Sequence, residues 1–173
     1  MADWRSATPD DIPALFALVT SAYRGESSKV GWTNEAALLG GQRTDPVMLA
    51  EMIVDPQQDV LVFECDGQMV GCVAIERCGG YGYVGMVTVR PDAQGGGWGA
   101  RLLDAAEAMI RDNWALSRAR MTVIEQRPEL IAWYVRKGYI DTGETAPFPY
   151  GDDRFGAPKR DDLRFVILEK ALA

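Results

Sequence analysis

Apolar residues recur along this chain at two different periods, and the switch between them outlines the fold. Ile12, Leu15, Phe16, Val19 and Tyr23 fall three and four residues apart, the spacing that lines one face of a helix. Thr8 stands ahead of that run as an N-cap, Pro9 opens it, and Asp11 completes a capping box, so the helix begins there and should stop near Gly25. "DWRSA" before it reads as a short strand. "TNEAALLGG" reads as a short helix capped by Thr33 or Asn34, and "TDPVMLAEMI" as another, with Asp45 as cap and Pro46 next. The period then changes. Residues 59–65 and 68–77 are apolar runs joined by Asp66-Gly67, the two-residue hairpin signal. That turn sets Cys65 opposite Gln68 and Phe63 opposite Val70. Neither run alternates, which requires cover on both faces of the sheet.

Residues 83–89 form the next expected strand. After "RPDAQGGGWG", Leu102, Leu103, Ala106, Met109 and Ile110 mark one face of a helix. "RARMTVIEQ" is a strand, 128–137 a helix closed by Gly138, and "YIDTGE" and "DLRFVILEK" are the last strands. The order is β-α-α-β-β-β-α-β-α-β-β, without internal repeat or low-complexity segment. Strands alternating with helices around a mixed sheet predict an α/β (α+β) domain, and the length of 173 residues suits a single one spanning 1–173.

Composition narrows the chemistry. The chain is 47% hydrophobic, enough for a substantial core, and carries a net charge of -7 with no basic run. Nucleic acid is therefore not an expected partner, because phosphate backbones need clustered Lys and Arg. No apolar run approaches the roughly 18 residues of a membrane span, and the N-terminus shows no signal-peptide pattern, so a cytoplasmic protein without membrane contact is expected. Cys65, Cys72 and Cys78 have no CxxC spacing and read as reduced thiols. The chain has no histidine, which excludes Ser-His-Asp and Cys-His machinery and leaves no zinc ligand set. No metal is expected. Any general acid or base is Asp, Glu, Tyr, Lys, Cys, a terminus or water.

Four glycines lie within the five residues 95–99, between a strand and a helix. Glycine inside an element costs about 0.5–1 kcal/mol relative to alanine, so the backbone there serves something. Amide groups at a helix start are unpaired and electropositive, and a bare approach lets an anion reach them. A Walker loop fails, since Gly99 is followed by Ala100-Arg101, and a dinucleotide fingerprint fails because Leu102 occupies the third glycine position. What fits is Q-x-x-G-x-G, Gln94 to Gly99, directly after "VTVRP". That pattern resembles the acetyl-CoA pyrophosphate loop of the GNAT superfamily of N-acetyltransferases. "IAWYVRKGYIDTGE" is similar to the family's next motif, a tyrosine four residues ahead of a Gly-aromatic pair, here Tyr134 and Gly138-Tyr139. The resemblance extends over nearly the whole chain.

The resemblance implies a mixed, mostly antiparallel sheet of about seven strands with helices on both faces. It implies direct transfer of an acetyl group from acetyl-CoA to a primary amine, on a small molecule or peptide, with both substrates bound together. Val87, Thr88 and Val89 would meet the pantetheine arm as an added strand does. Gln94, Gly95, Gly96, Gly97, Trp98, Gly99 and Ala100 would hold the pyrophosphate, with Arg101 either adding charge or remaining a solvated cation. Tyr134 matches the family's general acid; a phenol's ordinary pKa of about 10 keeps it protonated yet able to donate to a thiolate. Glu125, at the end of "MTVIE", is the candidate base or a plain strand-end carboxylate. Glu26, Trp32 and Glu51 in the N-terminal region, and Phe148 and Tyr150 in the long link between the last strands, are the acceptor-side candidates. Homodimers occur in the family, so self-association is open. The alternative is a non-catalytic acyl-CoA binder, a sensor or scaffold of the same fold.

Overall fold

The computed structural model describes residues 3–23, 39–40, 44–151 and 157–172. Capping starts the first helix as expected: the Asp11 carboxylate accepts the Thr8 N–H at 2.8 Å, and a 3₁₀ turn at Pro9–Asp11 feeds helix α1, Ile12–Tyr23. Strand β1, Asp3–Ser6, precedes it. Among its described side chains α1 buries Leu15, Leu18, Val19 and Ala22; the side chain of Tyr23 lies outside them. Phe16, expected inside, is 36% exposed. It flanks the stripe that Leu18 and Ala22 complete at helical spacing.

Leu39–Gly40 is a second correction. These residues form a short strand, β2, and not the end of a helix. They pair with strand β8, Ala157–Pro158, in a separate two-stranded sheet. Gly40 is a poor helix residue, and a partner strand is at hand. The proposed caps Thr33 and Asn34 lie outside the described residues. Helix α2, Pro46–Val54, begins as expected, with the Asp45 side chain accepting the Met48 N–H at 2.8 Å.

The main sheet has seven strands in the order β1-β3-β4-β5-β6-β9-β7. Its further members are β3 (Gln58–Cys65), β4 (Gln68–Cys78), β5 (Tyr81–Val89), β6 (Arg118–Ile124), β7 (Ile140–Pro147) and β9 (Arg164–Ala171). Every pair is antiparallel except β5 with β6. Asp66 and Gly67 both take positive φ, 53° and 76°, as the hairpin turn demands, and Cys65 pairs with Gln68. Phe63, however, pairs with Gly71 and not with Val70. A bulge adds one residue to β4 here, and the Val70 carbonyl accepts the Arg90 N–H at 2.8 Å.

Both faces of the sheet are covered, as the unbroken apolar runs require. Val60 and Val62 pack with Leu15, Val19 and Leu49 under α1 and α2. Leu61, Val73 and Ile75 pack on the other face with Leu102, Leu103 and Ala106 of helix α3, Trp98–Ala108, and with Ile110 in the π-helical turn that follows it. The same cluster takes Leu130 and Tyr134 of helix α4, Pro128–Arg136.

Candidate active site

Two strands part company where the site forms. β5 and β6 pair only at Gly82↔Ala119 and Tyr83↔Arg120. The Tyr83 hydroxyl still reaches Thr122 Oγ1 at 2.6 Å, but no further ladder pair joins the two strands. On the other edge of β5 a second bulge sets Met86, at φ 51°, and Val87 against one residue of β4. Thr88 is fully buried and its Oγ1 donates to the Met86 carbonyl at 2.9 Å, so this side chain braces the bulge.

The glycine loop runs from β5 into α3. Gly97 is the N-cap of α3 at φ 83°, and Gly95 has φ 90°. A Cβ at either would meet nothing within 4 Å, so the loop presents open backbone. The first helical bond is Arg101 N–H to the Gly97 carbonyl at 3.3 Å, which leaves the amides of Trp98, Gly99 and Ala100 in the unpaired first turn. The Gln94 side chain turns back to the Val89 carbonyl at 3.0 Å and ties the loop to the strand.

A cleft of about 400 Å³ opens at this point. Val89, Gln94, Gly95, Gly97, Trp98, Gly99 and Ala100 line one side; Glu129, Leu130, Trp133, Arg136 and Lys137 of α4 and its C-cap line the other. The expected loop residues therefore share one cleft, while Gly96, Val87 and Thr88 stand outside its lining. Open backbone amides at a helix start, facing two cations, suit a diphosphate. Arg101 does not join them: its guanidinium stacks over the Trp98 ring at 5.0 Å. It faces a second cleft of about 530 Å³ with Trp4, Phe63, Cys65 and Asp104.

Tyr134 is on α4 but is not among the residues that line the cleft. It is 6% exposed, edge-on to Trp133 at 5.1 Å and to Tyr139 at 6.0 Å. Glu125 sits just past β6, held by Arg164 through two hydrogen bonds of 2.7 Å. The guanidinium keeps this carboxyl below its usual range. Glu51 is exposed on α2. Phe148 is 6% exposed and packs with Ile124, Leu163 and Phe165. Tyr150 is exposed; its hydroxyl donates to the Arg160 carbonyl and accepts the Leu163 N–H, each at 2.9 Å. Glu26 and Trp32 lie outside the described residues. Reading the sequence missed Trp133, Arg136 and Lys137; their signal was adjacency to the tyrosine motif on one short helix.

The model of the acetyltransferase (GNAT) domain matches residues 28–148. The chain belongs to the GNAT acetyltransferase family. An IAA acetyltransferase of Azospirillum brasilense is 37% identical over 106 residues, covering 60% of this chain and 67% of that protein. An amino-acid acetyltransferase of Ralstonia nicotianae is 37% identical over 81 residues, 46% of this chain, which spans only 17% of that longer protein. Among solved structures, the ribosomal-protein-S18-alanine N-acetyltransferase from Escherichia coli superposes with a TM-score of 0.73 at 14% identity, covering 100% of this chain and 95% of that one. The spermidine/spermine N-acetyltransferase SpeG from Vibrio cholerae gives 0.68 at 14%, covering 99% and 95%. At such identities the structures speak for the fold. GNAT membership and the relatives' names support acyltransferase activity in general terms. Among the described residues no helix is long and apolar enough to cross a membrane, and no cluster of His, Cys, Asp or Glu could hold a metal.

Proposed function

We propose that this chain moves an acetyl group from acetyl-CoA to a primary amine of a small molecule or peptide, with both substrates bound at once. The observation that carries the reading is the cleft between the glycine loop and α4, with first-turn amides on one wall and Arg136 and Lys137 on the other. The coenzyme supplies an acyl thioester. The amides of Trp98, Gly99 and Ala100 hold its diphosphate, and Val87, Thr88 and Val89 of β5, beyond the two residues that pair with β6, meet the pantetheine arm.

The amine nitrogen attacks the thioester carbon, the carbon–sulfur bond breaks, and the sulfur leaves with the bonding pair. Tyr134 donates its hydroxyl proton to that sulfur. Glu125 takes the proton lost by the amine, directly or through water. Its pairing with Arg164 keeps it anionic but makes it a weak base, so its share in the rate is the smaller one. Glu51, Phe148 and Tyr150 border the acceptor side.

Turnover of acetyl-CoA across an amine panel tests the reading, with thiol release as the signal. Tyr134→Phe should lower kcat by at least about 100-fold and leave acetyl-CoA affinity nearly unchanged. Glu125→Gln with a full rate would remove that residue from the mechanism. Tight coenzyme binding with no amine acetylated would favour the acyl-CoA binder instead.

A further inference from the structure

Glu107 takes no part in the chemistry above, yet its contacts converge on Tyr134. It lies on α3 and is 7% exposed. Its Oε2 accepts the Tyr139 hydroxyl at 3.0 Å, and its Oε1 accepts the Lys170 ammonium at 2.8 Å. Tyr139, 1% exposed, stands edge-on to the Tyr134 ring, and its N–H donates to the Tyr134 carbonyl at 3.1 Å. Lys170 also donates to the Lys137 carbonyl at 2.9 Å, and the Lys137 N–H donates to the Tyr134 carbonyl at 3.0 Å. One carboxylate therefore grips both the ring behind Tyr134 and the last turn of the helix that carries it.

Stability alone explains this arrangement poorly. The Glu107–Lys170 ion pair is part-buried, and burying an ion pair is weak evidence for stability, since apolar residues of similar volume often do as well. Leu103 and Ala106, with Ile110 just past the end of the helix, show that this part of α3 packs apolar side chains readily. What an ion pair with a directed hydroxyl adds is orientation. It joins the helix that begins at the glycine loop to the turn that ends beside Tyr134.

We propose that Glu107 is a positioning residue for Tyr134, acting through Tyr139 and Lys170 to fix the phenol relative to the coenzyme cleft. The inference rests on the reading of Tyr134 as proton donor. A misplacement of about 1 Å at a reacting group costs as much as 100-fold in rate, and the Tyr134 hydroxyl is the far end of a long lever.

The test measures kcat and KM for acetyl-CoA in Tyr139→Phe and Glu107→Gln, each in the wild-type and the Tyr134→Phe background, with melting curves to confirm folding. Tyr139→Phe should lower kcat about tenfold and leave KM for acetyl-CoA within about twofold. In the Tyr134→Phe background the same change should leave kcat within about twofold, since no hydroxyl is there to misplace. Glu107→Gln keeps an acceptor for Tyr139 but frees Lys170, and should show a smaller loss with the same dependence on background. Equal losses in both backgrounds, a loss confined to KM, or no loss at all would overturn the inference and leave the proton-donor reading standing. A Tyr134→Phe variant with wild-type kcat would overturn that reading, and this inference with it.

Discussion

Trp98 stands between two clefts that differ both in what lines them and in what holds their outer walls. The cleft toward α4 is lined in part by the glycine loop, and its far wall is tied down by buried Glu107 and Tyr139 with part-buried Lys170. The cleft toward β1 is lined by side chains, Trp4, Phe63 and Arg101 among them. Its edge strand is held by Arg5, which is 45% exposed and pairs with Asp11 and Glu64. Each cleft carries cations, Arg136 and Lys137 in the first and Arg101 in the second, but of the two only the first is also lined by the glycines of the loop. Anion recognition at a helix start depends on main-chain donors held in place, and the buried clasp sits beside the wall where placement matters.

Gly97→Ala is the sharpest way to break that contrast. A residue other than glycine in the left-handed region costs about 1–2 kcal/mol, and Gly97 sits there at φ 83°. The free loop can relax out of this conformation, so coenzyme binding has to restore it. Acetyl-CoA affinity by calorimetry should fall about 5–30-fold, with little change in melting temperature. An unchanged affinity would mean that the loop amides do not carry the diphosphate.

The next effect separates the cations. Arg136 and Lys137 face the first cleft, whereas Arg101 is stacked on Trp98 beside the second. Removing Arg136 and Lys137 together should weaken coenzyme binding about fivefold at low salt, the scale of about 1 kcal/mol for exposed charges. The deficit should shrink as salt rises. Arg101→Ala should stay within about twofold by the same measurement. The reverse ranking would move the nucleotide end of the coenzyme to the other side of Trp98.

How much of this could be read from the sequence follows from how local each feature is. The Asp66-Gly67 turn, the Asp45 cap and the glycine loop are each set by neighbouring residues, and each stands where the sequence implies. The bulge at Val70 is not local. A Cβ on the adjacent Gly71 would crowd the Thr88 carbonyl at 2.8 Å and a Leu102 methyl at 3.1 Å, so its register answers to β5 and α3. Glu125 reads as either a base or a plain strand-end carboxylate, and nothing local announces that Arg164, 39 positions away, lies beside it. Nothing in the sequence singles out Glu107, since Tyr139 and Lys170 reach it only after the chain has folded back through α4 and β9. Tyr134 was legible through the family resemblance; its helical spacing alone reads as core, and its burial fits that too.

The smallest effect concerns the wall of the second cleft. Arg5 donates to both Asp11 carboxylate oxygens, and its guanidinium pulls the Asp11 pKa from 3.8 down to about 2. A depressed carboxylate pKa contributes stability that is fully present above the unfolded value and is lost as pH falls through the folded one. The Asp11 contribution should therefore hold from neutrality to about pH 4 and fade toward pH 2. Arg5 is nearly half exposed, so solvent screening limits the pair to about 1 kcal/mol. Denaturant melts of Asp11→Asn should show that deficit at pH 7 and almost none near pH 2. The glycine-loop cleft should be indifferent, with acetyl-CoA affinity unchanged at neutral pH. A deficit that stays constant down to pH 2 would show that the Asp11 carboxylate acts as a neutral cap for Thr8 and not as the charge that fastens β1. A change in coenzyme affinity would show instead that the two walls are coupled through Trp98.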